Sequence, residues 1–220
     1  MKKQMLLAVV TGALLIGSSG LFGLSKAQEE ELVELFEDGY SEEKAIIAKI
    51  KQWKLKADYK FKHSGPFKNK GYLIHLAALH EQPGVLQYLV DQTPKRDRKK
   101  VANLKTTDNG KTPLHYAAFT PFVVLAKILV EAGADKGARD DKFGMSPLHY
   151  AAGASKMHDT YQMVKYLTEK SEHFAHNRDK KSKKPREHAG KGSKVYDVIW
   201  EMESTNRDAL FVPRRRKQKR

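Results

Sequence analysis

Cysteine is absent from all 220 residues, which excludes a disulfide framework, thiolate catalysis and any cysteine-ligated metal site. Acidic side chains are scarce relative to basic ones, 26 against 41, so the chain carries +15 at neutral pH. A surplus of that size favours anionic partners such as lipid headgroups, nucleic acid or an acidic protein face. Several catalytic signatures are missing too: no Gly-x-Ser-x-Gly, Walker-type loop, His-Glu-x-x-His or Gly-x-Gly-x-x-Gly sequence occurs. The long apolar stretch, Met5 to Ile16, lies at the start, behind Lys2-Lys3 and ahead of the small-x-small triplet Ser25-Lys26-Ala27. That arrangement reads as a secretory signal peptide over residues 1–27, with cleavage expected after Ala27. A retained anchor helix is the alternative, since the stretch extends to Leu24, although Gly17, Ser18, Ser19 and Gly20 interrupt it. Both readings imply export. An exported chain without cysteine suits a bacterial periplasm or surface, or secretion from one.

What is present is a phrase written twice. Thr112-Pro113-Leu114-His115-Tyr116-Ala117-Ala118 and Ser146-Pro147-Leu148-His149-Tyr150-Ala151-Ala152 are 34 positions apart. Self-similarity at such a period marks a stacked repeat. Thr112 or Ser146 suits a helix N-cap, the proline suits the first helical position, and Leu114 and Ala118 share a face at i and i+4. A second helix follows from about Phe122 to Ala132, with Val124, Ile128 and Leu129 on one broad side. Gly133 supplies its stop. A degenerate copy, Tyr72-Leu73-Ile74-His75-Leu76-Ala77-Ala78, precedes these, 40 residues ahead of the next. The surplus residues are expected to form a solvated basic loop around Thr93 to Ala102.

The Thr-Pro-Leu-His-x-Ala phrase and the trailing Gly133-Ala134-Asp135 strongly resemble the ankyrin repeat family. The resemblance implies an all-α solenoid of three to four helix–turn–helix repeats with helical caps, and a non-catalytic, cofactor-free scaffold that binds another protein. It also implies a structural role for His75, His115 and His149. His173 and His176, three apart, are at most a two-ligand metal pair, short of the four ligands a closed zinc site needs.

The expected organisation is a signal at 1–27, an N-terminal helical cap at 28–65 and repeats at 66–176. A basic flexible insertion at 177–194, a diverged C-terminal repeat or capping helix at 195–211 and a basic tail at 212–220 complete it. Ser193 to Trp200 reads either as a diverged fourth first helix or as part of a C-terminal capping helix pair. For partner binding, the family's habit of using hairpin tips and first-helix ends points to Asp108, Asn109, Lys111, Phe119, Thr120, Lys142, Phe143 and Met145. Phe143 and Met145 are the anchor candidates, since apolar side chains at exposed tips suit an interface. Arg214, Arg215, Arg216, Lys217, Lys219 and Arg220 form a second candidate surface. In an exported protein they favour an anionic membrane surface over nucleic acid, and no interleaved aromatic offers base stacking. The competing function is therefore an envelope-attached structural protein held by its basic segments, with the repeats as a spacer.

Overall fold

A computed structural model describes residues 23–38, 43–62, 70–154, 160–169 and 172–210, the last six by backbone alone. The apolar leader through residue 22 and the basic tail from Arg214 to Arg220 lie outside the described residues. Ten α-helices are described: α1 (Lys26–Glu37), α2 (Glu43–Gln52), α3 (Leu73–Leu79), α4 (Pro83–Gln92), α5 (Lys95–Ala102), α6 (Pro113–Phe119), α7 (Val123–Glu131), α8 (Pro147–Gly153), α9 (Thr160–Thr168) and α10 (Lys194–Leu210). Two short 3₁₀ segments, Glu172–His176 and Pro185–His188, lie between α9 and α10.

The repeated phrase explains the architecture. Pro113 and Pro147 open α6 and α8, where a missing N–H costs nothing. Leu114 and Leu148 are buried, and the alanine pairs 117–118 and 151–152 let neighbouring first helices approach closely. These short helices pack in one row, α3 on α6, α6 on α8, and α8 on Pro185–His188. Behind them runs a second row, α2, α4, α7, α9 and α10, each packed on the next. One continuous core results, as expected of units that cannot bury their apolar faces alone.

At the N-terminal end, α1 and α2 close the stack through Leu32, Phe36, Ile46 and Ile50, all fully buried. The buried Glu29 carboxylate accepts from the Tyr59 hydroxyl at 2.6 Å and the Lys62 N–H at 3.0 Å. Glu43 accepts from the Gly84 N–H at 2.6 Å, meeting an orphan donor in the first turn of α4. Leu24 is buried, and Ser25 caps α1 in a reciprocal box with Gln28. The expected cleavage point after Ala27 thus falls inside α1. A chain starting at Gln28 gives up that cap and Leu24, whereas a retained leader keeps both.

Three expectations change. The Thr93–Ala102 loop is the helix α5, anchored by buried Val101 and Ala102. In α7 the buried stripe is Leu125, Ala126 and Leu129, while Val124 is half exposed; an almost wholly apolar helix does not announce its inward face. The supposed flexible insertion at 177–194 contains an ordered hairpin and a 3₁₀ turn. Buried Asp179 accepts from the N–H groups of Lys181 and Lys183, and buried Pro185 opens the turn. Lys184-Pro185-Arg186-Glu187-His188-Ala189 therefore takes the place of the first helix of a fourth repeat. The buried Glu203 carboxylate ties it to α10, receiving Arg186 at 2.8 Å and Lys184 at 3.5 Å. The segment 195–211, expected as a diverged C-terminal repeat or capping helix, supplies α10 in the row of second helices.

The repeats are joined by imidazoles. His115 Nδ1 accepts from the Thr112 N–H at 3.0 Å and lies 2.8 Å from the Thr112 hydroxyl. With Nδ1 accepting, the ring proton sits on Nε2, which donates across the repeat boundary to the Met145 carbonyl at 3.0 Å. His149 does the same with the Ser146 N–H at 3.1 Å and the Lys183 carbonyl at 3.2 Å. His75 accepts from the Tyr72 N–H at 3.2 Å and faces the carbonyls of Leu104 at 3.0 Å and Lys111 at 3.2 Å. In the fourth repeat Glu187 occupies the histidine slot and its carboxylate accepts from the Lys184 N–H at 2.6 Å. A carboxylate has no proton to hand onward, so this bridge ends there.

Burial lowers the pKa of His75, His115 and His149 to about 4 each. Well above pH 6.5 all three are neutral in folded and unfolded chains alike, so they add no pH dependence there. Between about 6.5 and about 4 the unfolded chain binds protons that the folded one refuses. Stability then falls as pH falls, by up to about 1.4 kcal/mol per pH unit for each ring. Urea midpoints are accordingly expected to be level above about pH 7 and to drop steeply toward pH 5. A midpoint unchanged between those values would contradict the bridging role.

Candidate protein-binding surface

Each histidine bridge ends at the base of the next hairpin, which fixes how the tips stand. Thr106 N–H meets the Lys111 carbonyl at 2.9 Å in one hairpin, and Asp140 N–H meets the Met145 carbonyl at 2.9 Å in the next. Gly110 and Gly144 turn the chain at φ +68°, a left-handed conformation that side-chain-bearing residues rarely adopt. The tips are then stitched to one another. Thr107 donates to the Lys70 carbonyl at 2.6 Å, Asp141 to Asn109 at 2.8 Å, and Lys180 to Phe143 at 2.8 Å. Backbone at the tips is committed to this ladder, so recognition there is left to side chains.

Two half-buried tyrosines line the first helices beside the tips. The Lys111 ammonium lies 5.5 Å from the Tyr116 ring centre and 4.6 Å from that of Tyr150, bridging two repeats by cation–π contact. Burial lowers the Lys111 pKa, countered by the charges of Asp140 and Asp108. The Tyr150 hydroxyl donates to buried Asp140 at 3.3 Å. Burial raises the pKa of Tyr116 to about 12 and raises that of Tyr150 as well, helped there by Asp140, so both stay protonated. Phe119 follows Tyr116 on the same face of α6 at i+3 and is 56 % exposed. Phe143 is 38 % exposed at its tip, with the Lys142 ammonium 5.0 Å from its ring centre.

The structure sorts the candidates from sequence. Phe119, Phe143, Lys142 and Asp108 are exposed. Asn109 is half-buried in the tip ladder, and Thr120 ends α6. Lys111 and Met145 are hairpin-base residues, not free tips. Lys111 stacks between the tyrosines, while Met145 takes the Asp140 carboxylate on its N–H at 3.0 Å and His115 on its carbonyl. Arg214, Arg215, Arg216, Lys217, Lys219 and Arg220 lie outside the described residues. Tyr116 and Tyr150 are not among the candidates from sequence, although both stand in the repeated His-Tyr-Ala-Ala phrase. Their signal is the repetition of an aromatic where each helix turns toward the hairpin.

A family profile described as ankyrin repeats (3 copies) matches residues 47–140 and 74–180, more than half of the chain. The chain belongs to the ankyrin repeat family. Ankyrin repeats are generally protein–protein interaction modules and the family is typically non-catalytic. Comparison with curated proteins returned no match. Among the described residues no helix is long and apolar enough to cross a membrane.

Proposed function

We propose that this ankyrin repeat protein is exported and recognises another protein through the hairpin tips and adjoining first-helix ends of its central repeats. The observation that carries the reading is the aromatic surface of Phe119 and Phe143, exposed on a backbone already satisfied by its own hydrogen bonds. Aromatic side chains held on a rigid frame bury much apolar area at little entropic cost, which is what interface anchors need. Lys111 and Lys142, over aromatic rings, add positive charge that favours a partner with acidic groups around an apolar centre. Export rests on the leader sequence of residues 1–27.

Phe119→Ser with Phe143→Ser is expected to lower affinity for a partner captured by crosslinking in the envelope fraction by about ten-fold or more. The melting temperature should stay within a degree or two, because neither side chain belongs to the inter-repeat core. Normal binding by that variant, with binding abolished by deletion of residues 213–220, would instead support attachment to an anionic surface. For the exported chain, mass spectrometry is expected to find a start near Gln28. An intact Met1 or Lys2 would support the retained anchor.

A further inference from the structure

Helix α5 is surplus to the repeat. The stack needs 34 residues between equivalent histidines, yet His75 and His115 are 40 apart, and α5 occupies the excess. Only Val101 and Ala102 of its eight residues are buried, so core packing does not account for the rest. Nevertheless it is held firmly. Arg98 donates to the Thr93 carbonyl at 3.1 Å and pairs with Asp91 at 3.6 Å. Beyond its C-terminus, the Asn103 side chain donates to the carbonyls of Lys99 at 2.7 Å and Gly133 at 2.8 Å, and accepts from the Asp135 N–H at 2.8 Å. The helix and the 133–139 loop are so close that a Cβ on Gly133 would lie 3.1 Å from Lys99 Cβ.

Between them opens a cleft of about 850 Å³ whose lining includes Arg96, Lys99, Lys100, Lys105, Arg139 and Asp135. Five cations face one carboxylate. Lys105 is engaged by Asp141 at 2.7 Å, Arg96 lies 3.5 Å from its neighbour Asp97, and Arg139 donates to the Arg178 carbonyl. Lys99 and Lys100 have no ion-pair partner among the described residues. Like charges crowded on a pinned helix raise the local potential, and an anionic ligand relieves that repulsion.

We propose that this cleft is a second recognition site, which takes a glutamate- and aspartate-rich segment of a partner protein. No aromatic lines it, so it offers no stacking platform for nucleic acid bases. The chain's own termini do not match it either: residues 1–22 carry two lysines and no acid, and residues 211–220 carry six basic residues and no acid. The site lies at the base of the hairpins, apart from Phe119 and Phe143, and does not depend on them.

The test measures binding of a fluorescent oligoglutamate peptide to the full-length chain by anisotropy at physiological ionic strength, alongside K99E/K100E and the Phe119→Ser/Phe143→Ser variant. Both altered lysines are solvent-exposed but stand in the last turn of α5, where added acid opposes the helix dipole; K99Q/K100Q is therefore measured beside K99E/K100E and is expected to weaken binding with circular dichroism and melting temperature unchanged. The expected result is saturable binding that weakens about ten-fold or more in K99E/K100E and is retained in the aromatic variant. Absence of binding overturns the proposal. So does binding that K99E/K100E leaves intact, which would place the peptide elsewhere, for instance on the basic tail. Phosphatidylserine–phosphatidylcholine vesicles and single-stranded DNA serve as competing probes. If either depends on Lys99 and Lys100 while oligoglutamate does not, the cleft belongs to that class and the proposal fails. Concentration-dependent self-association lost in K99E/K100E, with no peptide binding, would likewise reject it in favour of a second copy's acidic α1.

Discussion

A neutral imidazole with its proton on Nε2 is the joint of this molecule. An isolated helix pair of this length has too little apolar surface to fold alone, so stability comes from docking each pair on the next. Apolar contact alone would tolerate slippage between stacked helices. The histidine removes that freedom, because Nδ1 is bound to its own repeat's helix start and Nε2 to a carbonyl 29 to 36 residues further on. Each ring also meets the next repeat edge-on, His75 with Tyr116, His115 with Tyr150 and His149 with His188, at centroid separations of 5.4 to 5.8 Å. The same residue thus sets register by hydrogen bonding and spacing by ring contact.

Function follows from that constraint. Fixing the carbonyls at the hairpin bases fixes the tips, and the ladder from Lys70 through Asn109 and Phe143 to Lys180 holds them in line. The tip side chains can then vary in chemistry without disturbing the stack, which is how one scaffold serves many partners. Here the tips, hairpin bases and adjoining first helices present two exposed phenylalanines, two half-buried tyrosines and two lysines poised over aromatic rings. The surplus helix α5 uses the same frame differently: it is pinned to the neighbouring repeat by Asn103 and presents cations where the stack itself asks for none.

What was legible in the sequence follows from where the chemistry is local. The Thr/Ser-Pro-Leu-His phrase encodes a cap, a helix start, a core contact and a bridge within four residues, so the central repeats could be read directly. Gly133 marked the end of α7, as its φ of +95° requires. The fourth repeat escaped because Arg186 and Glu187 stand in the leucine and histidine slots. Only Pro185 and Ala189 preserve the pattern, inside a lysine-rich stretch that imitates a linker. Charge misled again at α5, whose Lys/Arg-rich surface conceals the two small apolar residues that anchor it. Met145 and Lys111 passed for tip residues because exposure along a hairpin depends on which way each side chain faces, and spacing from a turn does not specify that.

Imidazole ¹⁵N NMR of the three bridging histidines tests the central claim most directly, since it reads the proton's position on each ring. The bridge requires His75, His115 and His149 to be Nε2–H tautomers at neutral pH and to remain uncharged well below about pH 6, the ordinary range for an exposed histidine. Three rings with that signature, unchanged until the protein itself unfolds in acid, is the predicted result. Protonation of these rings near pH 6.5 in the folded protein, or an Nδ1–H tautomer at His115 or His149, would contradict the account.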